Sequence, residues 1–91
     1  DGLDVIMVTV LREAGLRVVI FANDHPPAHV HVFGDGETKI DLRSGGDGDA
    51  PRLVWAEGAT RAEVRRAMRL VAERRVVLLA RWEEIHERRA L

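Results

Sequence analysis

From His29 to Leu42 the chain alternates with a period of two, Val30 and Val32 on one side and His29 and His31 on the other, interrupted at Gly34-Asp35-Gly36. This is the pattern of a half-buried β-strand that folds back on itself as a hairpin. Its register can be argued, because a slip of one residue turns every side chain to the other face. A three-residue loop sets Val30 opposite Ile40 and Val32 opposite Thr38, with His29 opposite Asp41 and His31 opposite Lys39. A two-residue loop would set both valines against charged residues and is rejected. Upstream, residues 8–12 and 16–22 are rich in β-branched side chains. Glu13-Ala14-Gly15 between them suits a short loop with Gly15 in the left-handed conformation. With residues 23–27 returning the chain antiparallel, Val18 and Ile20 join Val30 and Val32, while Val19 and Phe21 lie beside the histidines. One face of the sheet is then aliphatic, the other aromatic and polar.

After Leu42 the pattern changes. Residues 43–51 are an exposed loop rich in Gly, Ser and Asp, followed by a short apolar piece, Leu53-Val54-Trp55. Asp47-Gly48-Asp49 lacks the further ligand positions of a calcium loop and is read as a turn. Thr60-Arg61-Ala62-Glu63 has the spacing of a capping box, and Val64, Ala67, Met68 and Val71 follow at helical spacing. The spacing resumes at Leu78, Trp82 and Ile85, but Arg74-Arg75 falls where the stripe should continue. Two helical segments with a break near residues 73–76 are predicted, with one continuous helix as the alternative. The fold class is α+β: a small antiparallel sheet of about four strands in two hairpins, covered on its aliphatic face by C-terminal helices. The histidine face should stay at least partly open.

With 91 residues there is room for one core and a thin stability margin. Met7 opens the first strand-like run, so a single domain over residues 7–91 is expected, with 1–6 an expression remnant or upstream extension. No run of about 18 apolar residues offers a membrane span, and the first six residues lack the features of a signal peptide. A cytoplasmic location is expected. The absence of cysteine excludes disulfides and thiolate metal sites, leaving nitrogen and oxygen ligands only. The net charge of −1 conceals an acidic first part and an Arg-rich end from Thr60 onward. Arg61, Arg65 and Arg69, four apart on one helix face, are candidates for contact with a nucleic acid or an acidic partner, although such stripes usually face water.

The chemistry concentrates in Asn23-Asp24-His25-Pro26-Pro27-Ala28-His29-Val30-His31. His29 and His31 share a strand face, so their imidazoles can converge on one ion. His25 precedes them across two prolines that restrict the loop, Asp24 and Asn23 supply oxygens, and Asp41 opposite His29 can accept that ring's second proton. His25, His29, His31 and Asp24 would suit a divalent transition metal such as zinc, nickel, iron or manganese. Two readings stay beside this one. The histidines can be half-buried and hydrogen-bonded to Asp41 and the loop, or can serve as a general acid and base for phosphodiester cleavage. Neither a Cys nor a suitably placed Ser nucleophile accompanies them. His86, Trp82 and Trp55 are read as packing residues.

The run from Phe21 to Val32, with Gly34-Asp35-Gly36, Lys39-Ile40-Asp41-Leu42 and Trp82-Glu83-Glu84-Ile85-His86, resembles a family of small bacterial proteins catalogued as domain of unknown function 4160. Ala28 stands where many members run directly from the second proline to histidine, while the spacing of His25, His29 and His31 is kept. The resemblance implies a compact prokaryotic protein often encoded beside another small protein, in an arrangement like that of toxin-antitoxin operons. It implies a component acting through a small partner protein, or on nucleic acid, with self-association open and no established reaction. The rival expectation is a metal-binding module or small metal-dependent hydrolase or nuclease.

Overall fold

The computed structural model describes residues 6–43 and 50–90. The expected leading extension, apart from Ile6, and the turn around Asp47 and Asp49 lie outside the described residues. Five strands, β1 (Met7–Glu13), β2 (Leu16–Phe21), β3 (His29–Phe33), β4 (Glu37–Asp41) and β5 (Arg52–Glu57), are followed by α1 (Arg61–Glu73) and α2 (Arg75–Ala90). The strands form one antiparallel meander in chain order. The architecture is the expected α+β, with one strand more than predicted. Leu53-Val54-Trp55 is the middle of that strand, paired to β4 as the exposed edge of the sheet.

The β3–β4 register is the predicted one throughout, from His29 opposite Asp41 to Phe33 opposite Glu37. Val18 pairs with Val32 and Val19 with His31, as the alternation required. The first hairpin differs. Glu13 pairs with Leu16, so the loop has two residues rather than three, and both Ala14 (φ 56°) and Gly15 (φ 74°) are left-handed. Two positive φ angles make the turn whose twist matches that of paired strands, and the first is borne by an alanine. The peptide bond between Pro26 and Pro27 is cis.

Helix α1 buries Ala67, Leu70 and Val71, and α2 buries Leu78, Trp82 and Ile85, against Val18, Ile20, Val30, Val32, Ile40 and Leu42 of the aliphatic sheet face. Burial of a Val, Leu or Ile side chain contributes roughly 1.5–3 kcal/mol, so this two-layer contact is the main cohesive term. The break between the helices falls at Arg74, where the apolar stripe lapses. Arg74 donates to Glu13 at 2.8 Å and Arg75 to the Leu42 carbonyl at 2.7 Å. The proximity of Glu13 raises the Arg74 pKa above its ordinary value. Both arginines thus tie the helix junction to the sheet. Arg61, Arg65 and Arg69 are exposed along α1. No described helix is long and apolar enough to cross a membrane.

Thr60 caps α1 by accepting from the Glu63 backbone at 3.1 Å, half of the predicted box. The Glu63 side chain does not reach back. It is buried, 2% exposed, and accepts from the backbone N–H groups of Asp35 (2.8 Å) and Gly36 (3.1 Å) at the tip of the β3–β4 hairpin. A carboxylate gathering two backbone donors outweighs the single bond of a capping box. Glu63→Ala strands both donors under the helix and should lower stability by about 3 kcal/mol, read as a shifted midpoint in urea unfolding.

Candidate metal centre

Strand β3 places His29 and His31 on the sheet face opposite the aliphatic core, two residues apart. The loop before it turns the Asp24 carboxylate onto both. Asp24 Oδ2 lies 2.8 Å from His29 Nε2 and 3.4 Å from His31 Nε2. One ligand atom from each of these three residues lies within 4.8 Å of the others. Both histidines are buried, 5% and 8% exposed, whereas the Asp24 side chain is about a third exposed at 35%. The opening of the site is therefore on the Asp24 side, and the histidine face is more closed than the sequence suggested.

The other ring nitrogens decide what the Nε2 atoms can do. His29 Nδ1 lies 2.8 Å from the Pro27 carbonyl, which can only accept, so that nitrogen carries a proton. His31 Nδ1 lies 2.9 Å from Glu37 Oε2 and donates to it in the same way. A neutral ring with its proton so placed presents the Nε2 lone pair toward the Asp24 carboxylate, whereas a ring protonated on both nitrogens donates from Nε2 to it. His31 Nε2 is buried and has no hydrogen-bond partner, the 3.4 Å approach of Asp24 being within ion-pair reach but off hydrogen-bond geometry. Three electron-pair donors facing one another repel unless a cation lies among them, either a proton or a metal ion. Anchoring of Nδ1 by a carbonyl or carboxylate while Nε2 points inward is the usual arrangement around a metal-ligating histidine.

An aromatic wall closes the group. The Phe21 ring lies edge-on to His31 at 4.7 Å, Trp55 meets His31 at 5.9 Å, and Trp82 meets His29 at 5.0 Å. Trp82 stacks on His86 at 3.7 Å. Both His86 nitrogens face carbonyls, that of Trp82 at 2.9 Å and that of Asp24 at 3.0 Å. A neutral ring donates to one of these and a protonated ring to both. A ring with a proton on Nε2 donates to the Asp24 carbonyl and so links α2 to the backbone of the residue that supplies the carboxylate.

Of the expected site residues, Asp24, His29 and His31 come together. His25 and Asn23 are exposed and do not join that group; the loop that turns Asp24 inward leaves its neighbours outside. Asp41 is across from His29 but does not take its proton. Arg52 of the unanticipated β5 holds the Asp41 carboxylate at 2.8 Å, and His29 has already spent its Nδ1 proton on Pro27. Glu37, which the sequence reading passed over, fills the outer role for His31. The signal was available: Lys39 opposes His31, so Glu37 is its diagonal neighbour on the same face. His86 acts as packing, as expected, and also as the loop tether, which only the tertiary fold reveals.

No curated protein and no solved structure matches the chain significantly. One family model matches residues 15–83, a stretch that holds β2 to β5, the whole Asp24, His29 and His31 group, α1 and α2 through Glu83, and the chain accordingly belongs to the family described as domain of unknown function DUF4160.

Proposed function

We propose that this chain is a metal-binding module whose centre is formed by Asp24, His29 and His31, with Glu37 and the Pro27 carbonyl orienting the imidazoles. The observation that carries the reading is the buried, unpartnered His31 Nε2, aimed together with His29 Nε2 at one carboxylate oxygen while each Nδ1 is held by an acceptor. Two imidazoles and one carboxylate fit zinc or ferrous iron, and three protein ligands leave coordination positions for a substrate. Bound there, a divalent ion would supply Lewis acidity toward a carbonyl or phosphoryl oxygen. The protein's own contribution is a rigid strand for the two imidazoles, a loop held by His86 for the carboxylate, and an aromatic wall of Phe21, Trp55 and Trp82.

Elemental analysis and zinc titration of the purified chain test the proposal, which expects one ion per chain; absence of stoichiometric uptake of zinc, iron, nickel and manganese rejects it. Glu37→Ala frees the His31 ring from its anchor and is expected to lower metal affinity about 10- to 100-fold while the fold persists, measured by competition with a chelator.

A second reading, a component of a toxin-antitoxin-type module acting through a small partner protein, draws support from β5. This edge strand is exposed throughout, with Leu53, Val54 and Trp55 at 42%, 40% and 38%. Unpaired edge strands with apolar side chains invite addition of another strand. Co-expression with the product of the adjacent gene should yield a stable complex and a growth effect; the lack of both removes this reading.

A further inference from the structure

At the hairpin-tip end of the sheet lies an open cavity of about 540 Å³ whose lining includes Arg12, Arg17 and Phe33 of the histidine face together with Glu13, Leu16 and Asp35. Arg12 and Arg17 are directly opposite each other on β1 and β2. Like charges in that relation destabilise a sheet unless something negative lies between them. Among the described residues no carboxylate forms an ion pair with either arginine. Glu13, the nearest in sequence, is engaged by Arg74 at 2.8 Å, which leaves Asp35 as one negative charge at the rim against two guanidinium groups. Arg17 is held instead over the Phe33 ring, its guanidinium carbon 5.1 Å from the centroid. Such a contact orients the planar fork and leaves its donors free for an anion.

The position of this pair relative to the candidate metal centre follows from the register. Arg17 pairs with Phe33, and two residues along the same strands Val19 pairs with His31. Two residues along a strand are about 6.6 Å, and residues so spaced share a face. The two arginines therefore stand one row from His31 on the same side of the sheet, within the span of a small ligand.

We propose that Arg12 and Arg17 form a phosphate-binding subsite, and that the ligand of this face is a phosphate ester whose phosphoryl group sits on the arginine pair with its remainder extending toward Asp24 and His31. A planar guanidinium fork matches phosphate oxygens in geometry as well as charge, and two of them balance the charge of about −1.5 to −2 that a phosphate monoester carries near neutral pH. The cavity volume lies in the range of small-ligand sites. This deepens the metal-centre reading by naming a substrate class, and rests on that reading for the part of the ligand that reaches the histidines.

The test is a calorimetric titration of the full chain with inorganic phosphate and, separately, with adenosine monophosphate, with and without added zinc. The wild type is compared with Arg12→Gln/Arg17→Gln and with His29→Ala/His31→Ala. The expected result is salt-sensitive phosphate binding that falls at least tenfold in the arginine variant, whose zinc content stays at the wild-type level, and that survives in the histidine variant. Tighter binding of the nucleotide than of phosphate supports the ester, and equal binding assigns the subsite to the free anion. No phosphate uptake by the wild type, or equal uptake by the arginine variant, overturns the proposal. Wild-type protein that takes up phosphate but no zinc would remove the metal centre and leave the arginine subsite standing.

Discussion

Gly36→Ala is expected to yield a chain that does not fold at ordinary temperature. A Cβ at position 36 would lie 2.2 Å from the Gly58 carbonyl carbon and 2.4 Å from both the Ala59 nitrogen and the Glu57 oxygen. These are backbone atoms at the end of β5 and the approach to α1, and they cannot rotate away as a side chain can. The methyl group would push the β3–β4 hairpin off the β5–α1 junction and pull its N–H groups from Glu63, which both bind there. Overpacking alone costs about 1–3 kcal/mol, and loss of the Glu63 bonds adds a similar amount. Against a total stability on the order of 5 kcal/mol for a small domain, nothing remains. Circular dichroism and urea unfolding check this; a cooperative transition near the wild-type midpoint would show that the close approach is relieved cheaply.

The second large effect belongs to the site. His29→Ala/His31→Ala removes two of three ligands and should weaken zinc binding at least about a thousandfold, by the share that each ligand takes of the roughly 10–16 kcal/mol of a four-ligand zinc site. Both histidines are buried, so the double variant also leaves cavities beneath the aromatic wall. Asp24→Asn provides the complementary case. The Asp24 side chain is 35% exposed, and the amide keeps its shape while losing its charge. Chelator competition should show weakened binding in Asp24→Asn with the unfolding midpoint of the metal-free protein little changed. Wild-type affinity in either variant would place the ion elsewhere.

Much of the fold could be read from the sequence because the alternation of Val30 and Val32 with His29 and His31 admits one register, and the observed pairs are those. The helix break was legible for a similar reason: two arginines cannot continue an apolar stripe. Less was visible where geometry depends on a neighbour in space. The fifth strand was obscured because Leu53-Val54-Trp55 is short, and the bulge around Val54 disturbs its alternation with β4. That omission propagated to the site, since without β5 there was no Arg52 to take Asp41. The three-residue reading of the first loop failed because an alanine gives no hint that it will adopt a positive φ. Within the site, strand periodicity sufficed for His29 and His31. Whether Asp24, His25 or Asn23 would turn inward depended on the loop path, and residue types alone do not determine it.

Two imidazoles and one carboxylate holding a single cation would leave a distinct signature in X-ray absorption at the metal edge of the zinc-loaded protein. Two nitrogen scatterers of imidazole type at about 2.0–2.1 Å are expected, with an oxygen shell at about 2.0–2.2 Å. A stoichiometrically loaded sample whose spectrum shows only oxygen neighbours, without the outer-shell signature of imidazole rings, would contradict that ligand set.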